Sequence, residues 1–567
     1  FLCLVLFFFK SLGWAQTRLD VEIEPANKAV EDNIQAYIGA LEESTSELTR
    51  RQRHALIEQA RNAGEALGYY EAKFQLIQDK HDPAQLKLHV DLGEPVLLRT
   101  VDVKIIGEAN ELEVFKRLAH NDLRTGDVLN HGIYDALKTT LQQQALRYGF
   151  FAARFTRQQL EIDPEAGFAD VYLYFDSGPR YSLGEVEFLG PIDIDESLLH
   201  RLIPFSEGEP YNALLLAKLS QNLQGTGYFD QIRVDAVGEP GGELEIPVRV
   251  HLQPVKPRTF GVGVGFSTDV GPRARFNWEQ HRINSAGHQL GLSSEWSKPQ
   301  QSVTGWYGIP LSKPLTDQLR FVAGYKREEY VDAHSRRYSY GVQWHKQINQ
   351  GWQRILGLRW EEERYDYGRQ EPNQRRRFLL PSIGLSKIEA DSALDPSVGY
   401  RLQIDMSGAQ EDVLSDADLL HVNALARGLV TLAERHRILG RVQIGAIATN
   451  DYSKIPPSLR FFAGGDQSVR GYAYQSLSPR DSKGNRVGGR YLFVQSLEYQ
   501  YGLTDHWRLA SFVDRGNAVD SLTDAMKVGV GVGIRWVSPI GPLRLDLAHA
   551  LHDDRGWRIH FSMGPEL

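Results

Sequence analysis

Arg470 is the residue whose setting could do chemistry. It lies in RFFAGGDQSVRGYAYQ (460–475), after the Pro456-Pro457 pair, in the longest break between strand-like segments of the chain's second half. Ser468, Val469, Gly471 and Tyr472 flank it. The next two strand-like segments each offer an acid on one consistent face, because alternate residues of a strand share a face. In 491–501, Leu492, Val494, Ser496, Glu498 and Gln500 form one set; in 507–514, Arg508, Ala510, Phe512 and Asp514 form another. If both sets line one lumen, the loop can fold inward and place the Arg470 guanidinium between Glu498 and Asp514. Arginine suits that position, since its planar fork binds a carboxylate through two bonds and stays charged. The chemistry is a structural ion pair.

Catalytic patterns are missing. GVGVG at 261–265 lacks the following helix and the acceptor acid of a dinucleotide loop, and no GxxxxGK, HExxH or GxSxG occurs. An enzyme is therefore not expected, nor a cofactor or metal. Glu361-Glu362-Glu363 reads as a solvated run at a strand end.

The elements that position Arg470 come from the rest of the chain. A length of 567 residues implies several domains, and a net charge of −8 without a basic block argues against nucleic acid. The apolar start FLCLVLFFFKSLGWAQ reads as a secretory signal peptide over residues 1–15, truncated at its own N-terminus; it holds the one cysteine, Cys3. From about Thr259 onward, short alternating segments recur between turn residues. Sixteen are expected, starting near 258, 272, 288, 300, 317, 335, 351, 377, 397, 420, 434, 489, 506, 525, 541 and 556. Each is long enough to cross an outer membrane on a tilt, whereas no apolar run is long enough for a membrane helix. Two strands carry glycine stripes on their inner face. Gly529, Gly531 and Gly533 read as clearance for the inward loop. Gly261, Gly263 and Gly265 of the first strand are expected opposite Arg558, His560 and Ser562 of the last, leaving a poorly packed seam.

Before residue 257 the texture changes to strands mixed with amphipathic helices. A period of roughly 80 residues is visible. Gly126-x-x-x-Asn130 recurs as Gly208-x-x-x-Asn212, and helices close on Gly68-Tyr69-Tyr70, Gly149-Phe150-Phe151 and Gly227-Tyr228-Phe229. Each unit reads strand, helix, helix, strand, strand, with units at 16–94, 95–178 and 179–256. The barrel follows over 257–567, its inward loop at 448–488.

Three motifs together resemble the barrel signatures of the BamA/TamA outer-membrane assembly superfamily: Ser468-Val469-Arg470-Gly471-Tyr472, Phe512-x-Asp514-x-Gly516, and Gly489-Arg490-x-Leu492 running to Glu498. Tyr472 departs from the family's usual Phe. The repeats resemble POTRA domains, and three of them fit the TamA branch. The resemblance implies a 16-stranded transmembrane β-barrel preceded by three α/β POTRA domains, in the bacterial outer membrane with the repeats in the periplasm. It implies that Arg470 contacts acids of the two strands named. The implied role is outer-membrane protein insertion and autotransporter assembly by strand templating at the seam. The implied partners are a TamB-like inner-membrane-anchored protein, unfolded outer-membrane or autotransporter clients, and outer-membrane lipid. The alternative within this architecture is a two-partner secretion transporter; a barrel enzyme is the alternative from another class.

Overall fold

Period-two alternation from Arg258 onward builds sixteen antiparallel strands, from Arg258–Ser267 to Trp557–Met563, each bonded to the next in sequence. The computed structural model describes residues 18–38, 49–78, 85–120, 123–236, 243–256, 258–367, 373–539, 541–551 and 556–564; the expected leader lies outside them. The strands start at 258, 271, 289, 300, 317, 333, 353, 374, 398, 419, 436, 491, 507, 527, 541 and 557, within three residues of the positions read from the sequence. Their outer face is apolar and uncovered. Val262 and Val264 are 79% and 78% exposed, which suits hydrocarbon and would be costly in water. No helix among the described residues is long and apolar enough to cross a membrane.

Three three-stranded sheets precede the barrel. Their strand orders are Arg18–Glu24, Gln85–Asp91, Lys73–Gln78; then Leu97–Ile106, Phe168–Asp176, Arg154–Asp163; then Ser182–Leu189, Glu245–Pro254, Phe229–Asp235. In the first two, the strand formed last lies in the middle, parallel to the first and antiparallel to the second. In the first two repeats, two helices cover one face of the sheet. In the second repeat, Leu137, Leu141 and Ala145 of the helix His131–Tyr148 pack on Val171, Leu173 and Phe175. That helix stops at Gly149, whose φ of 84° is left-handed and whose added Cβ would lie 2.6 Å from the Tyr211 Cβ. The glycine thus ends the helix and lets the next repeat come close.

The chain forms two compact units, and residues 189–203 and 219–233 of the third repeat belong to the one that contains the barrel. Within that unit they grip the turn between the second and third barrel strands. The Asp195 N–H donates to the Ser285 carbonyl at 2.9 Å, and the Tyr228 hydroxyl donates to the Gly287 carbonyl at 2.8 Å.

The acidic run is not solvated. Glu361, Glu362 and Glu363 are all buried. The strand Gln353–Tyr367 is paired along nearly its whole length, so the run lies within the ladder rather than at its end. Glu361 faces Arg359 at 2.8 Å, Glu362 binds Arg364 and Arg375, and Glu363 accepts the Ser335 hydroxyl at 2.6 Å and that of Ser458.

Candidate functional site

Between Ala448 and Tyr491 the chain leaves the wall and returns, with Phe461, Ala463, Val469 and Tyr472 buried against Phe378, Leu419, Leu492, Val494 and Ala550. Apolar residues of the loop therefore supply an anchor, and Arg470 a specific bond set. Its backbone N–H and Nε donate to Asp514 Oδ2 at 3.0 and 2.7 Å, and Nη2 donates to Oδ1 at 3.0 Å. Nη1 donates to Glu498 Oε2 at 2.7 Å and to Asp546 Oδ2 at 3.1 Å. The guanidinium carbon lies 3.3 Å above the Phe512 ring, on the negative face of its π system.

A second arginine completes the set. Arg535, fully buried, donates from Nε and Nη2 to Glu498 Oε1 at 3.0 and 2.8 Å, and from Nη1 to Asp546 Oδ1 at 2.6 Å. Three acids and two arginines form one closed network, so each carboxylate is desolvated but paired. Sequence reasoning missed Arg535 and Asp546. The signal was present: Gly529, Gly531, Gly533 and Arg535 are in one phase, so the stripe that faces the lumen continues into a cation.

The flanking motif residues divide by task. The Ser468 hydroxyl accepts the Gly464 N–H at 3.1 Å, closing the tight bend, and the Tyr472 hydroxyl reaches the Val528 carbonyl at 3.4 Å. Gly471 has φ 92°, and its N–H donates to His560 Nε2 at 3.0 Å. Of the three clearance glycines only Gly529 lies against the loop, where an added Cβ would collide with the Arg470 carbonyl oxygen. Gly531 instead makes room for the Phe512 ring, and Gly533 for the Asp546 carboxylate. Gly516 does not touch the loop either; its Cβ position is filled by the backbone of the adjoining strand at Phe493 and Val494.

At the seam the structure departs from the reading of the sequence. No ladder joins the first strand to the last. Gly261, Gly263 and Gly265 face Asn277, Arg275 and Arg273 of the second strand rather than the last strand. Arg558 is exposed, His560 serves the loop, and Ser562 pairs with Arg544 of the fifteenth strand. Among the described residues, hydrogen bonds join the two ends at one place: the Thr268 N–H donates to the Phe561 carbonyl at 3.1 Å, and the Phe561 N–H donates to the Thr268 hydroxyl at 3.1 Å. The Phe266 and Phe561 rings meet there at 5.9 Å.

The loop reaches across this seam. The Asp466 N–H donates to Asp269 Oδ2 at 2.6 Å, in the turn after the first strand, while Gly471 holds the last strand through His560.

Comparison with known proteins adds family evidence. The model of the Omp85 superfamily domain matches residues 222–566, that of POTRA domain TamA domain 1 matches 20–92, and that of the surface antigen variable number repeat, a POTRA model, matches 181–254. Outer membrane protein assembly factor BamA of Nitratidesulfovibrio vulgaris is 24% identical over 65% of this chain and 49% of its own length. BamA of Neorickettsia risticii is 21% identical over 87% of this chain and 69% of its own length. The chain thus spans about half the length of the first relative. The crystal structure of Haemophilus ducreyi BamA lacking POTRA domains 1–3 superposes with a TM-score of 0.70 at 16% identity, covering 82% of this chain and 99% of that one.

Proposed function

The chain belongs to the Omp85 superfamily, a barrel of the bacterial outer membrane with periplasmic POTRA domains, and from that membership we propose that it inserts and assembles outer-membrane proteins. The observation that carries this reading is the unladdered seam. On the edge that faces away from the second strand, Arg258–Ser267 has no ladder partner among the described residues, and bare peptide groups are costly in lipid. A client strand that pairs there satisfies them and is itself satisfied as it leaves water.

In this reading the protein is a TamA-type subunit. Support comes from the match of the TamA first-domain model to residues 20–92 and from three strand–helix–helix–strand–strand repeats. Its clients are unfolded outer-membrane proteins, autotransporters among them, and a TamB-like inner-membrane-anchored protein docks on the repeats. Edge strands such as Lys73–Gln78 and Arg154–Asp163 offer backbone groups for that docking.

The test uses proteoliposomes containing the full chain and a urea-unfolded eight-stranded barrel client. Conversion of the client to its heat-modifiable folded form should be faster than in empty liposomes. Equal rates would overturn the proposal, and protease-protected but unfolded client inside the vesicles would favour secretion through the pore.

A further inference from the structure

The lumen beside the loop carries more arginine than its acids can pair. Arg401, Arg427 and Arg441 stand directly opposite one another on three adjacent strands, Val398–Ala409, Leu419–Leu432 and His436–Ala448. Like charges in that relation repel across roughly 5 Å, and guanidinium cannot discharge by losing a proton. Arg544 of the strand Gly541–Ala550 joins Arg427 and Arg441 around one open cavity of about 70 Å³, closed on a further side by Asp466, Gln467 and Arg470 of the loop.

Partners are scarce for these cations. Glu498, Asp514 and Asp546 are engaged by Arg470 and Arg535. The cavity wall holds four guanidinium groups, from Arg427, Arg441, Arg470 and Arg544, against two carboxylates, Asp466 and Glu498. The Nε groups of Arg401, Arg427, Arg441 and Arg544 are buried, and no described residue accepts a hydrogen bond from them. Arg401 spends one Nη on Gln403 at 2.9 Å. Arg441 directs both Nη groups to the loop, at the carbonyls of Gln467 and Ser468. A protein that keeps several desolvated cations together without counter-charge destabilises itself unless an anion enters.

We propose that Arg427, Arg441 and Arg544 form a binding site for a phosphate group inside the barrel. Phosphate matches the donors, because its several charged oxygens accept from more than one planar fork at once. Bound phosphate offsets the repulsion along the row and holds Arg441 where it grips the loop, so occupancy keeps the loop seated. A free phosphate ion and the phosphate of a lipid headgroup share this chemistry.

The test is phosphorus NMR of inorganic phosphate with the full chain in detergent micelles. The phosphate line should broaden saturably, and chloride at matched ionic strength should leave the broadening in place. Arg427→Gln and Arg544→Gln should each weaken binding about tenfold while the barrel stays heat-modifiable. The same titration should slow protease cleavage within 463–488. Dihexanoyl phosphatidic acid then separates the sources: displacement of phosphate at a lower concentration assigns the site to lipid headgroups, and failure to displace assigns it to the free ion. Absence of saturable broadening by the wild-type chain, or its abolition by chloride, would overturn the proposal. None of these readouts depends on client insertion.

Discussion

His560 Nε2 accepts the backbone N–H of Gly471 at 3.0 Å, so the last strand of the barrel holds the inward loop by a direct bond. Replacing His560 with Ala leaves that N–H buried and unpaired, at a cost of roughly 1–3 kcal/mol. The expected result is faster protease cleavage within 463–488 in a barrel that remains heat-modifiable. His560→Gln should restore part of the protection, since its amide oxygen can accept. Identical cleavage of wild type and His560→Ala would remove this bond from the account.

Arg470→Ala has a narrower consequence than loss of the whole network. Arg535 keeps Glu498 and Asp546 paired, so Asp514 alone loses its ion pair and is left with the Ser496 hydroxyl at 2.5 Å. Breaking one buried pair costs roughly 3–5 kcal/mol. The loop should become protease-sensitive and client insertion should fall, with the barrel still in the membrane. Arg470→Lys should recover little, because an ammonium cannot reach Asp514, Glu498 and Asp546 together. Wild-type protection in Arg470→Ala is the contrary outcome.

A pH effect is expected at the turn after the first strand. Burial and the nearby Asp466 charge push the Asp269 carboxyl up to about 8; Arg558, His560 and Tyr474 also face it. From roughly pH 4 to 8 the folded chain holds a proton there that an unfolded chain has released, so stability falls as pH rises through that window and levels off above it. Loop cleavage should be faster at pH 9 than at pH 6. Asp269→Asn should flatten the difference; a pH response unchanged by that substitution would place its origin elsewhere.

The seam can be locked. Thr268 and Phe561 exchange two hydrogen bonds, a separation compatible with disulfide geometry if both become cysteine. Under oxidation that pair should crosslink and block client insertion, with recovery on reduction. A crosslink between the mid-wall partners Gly341 and Arg359 should leave insertion unaffected. Insertion at the unlocked rate through a crosslinked seam would exclude this entry route.

Strand phase was legible because it rests on one period, and a period survives any tilt or curvature of the wall. It puts Glu498 and Asp514 on the face where Arg470 meets them. What it cannot supply is height. Arg535 and Asp546 share that face, but which inward side chains lie level depends on stagger between strands, a property of the closed sheet. The same limit explains the first-strand glycines: phase turns them inward, while the absence of a ladder to the last strand is a fact of closure. Glu361–Glu363 failed for a different reason. Acidity suggested solvent, but the strand extends past the run; its serine partners arrive from another strand and from the loop, and its arginine partners from its own strand and the next.

The bonds of the loop also set an order of events during biogenesis. Its partners lie 197 residues earlier, at Asp269, and 76 and 89 residues later, at Asp546 and His560. Contacts so distant along the chain form late, because the intervening segments must be arranged first. The cork therefore cannot seat before the final strand arrives, and a nascent barrel stands hollow until then. In a time-resolved refolding experiment, heat-modifiability should appear before residues 463–488 become protease-resistant.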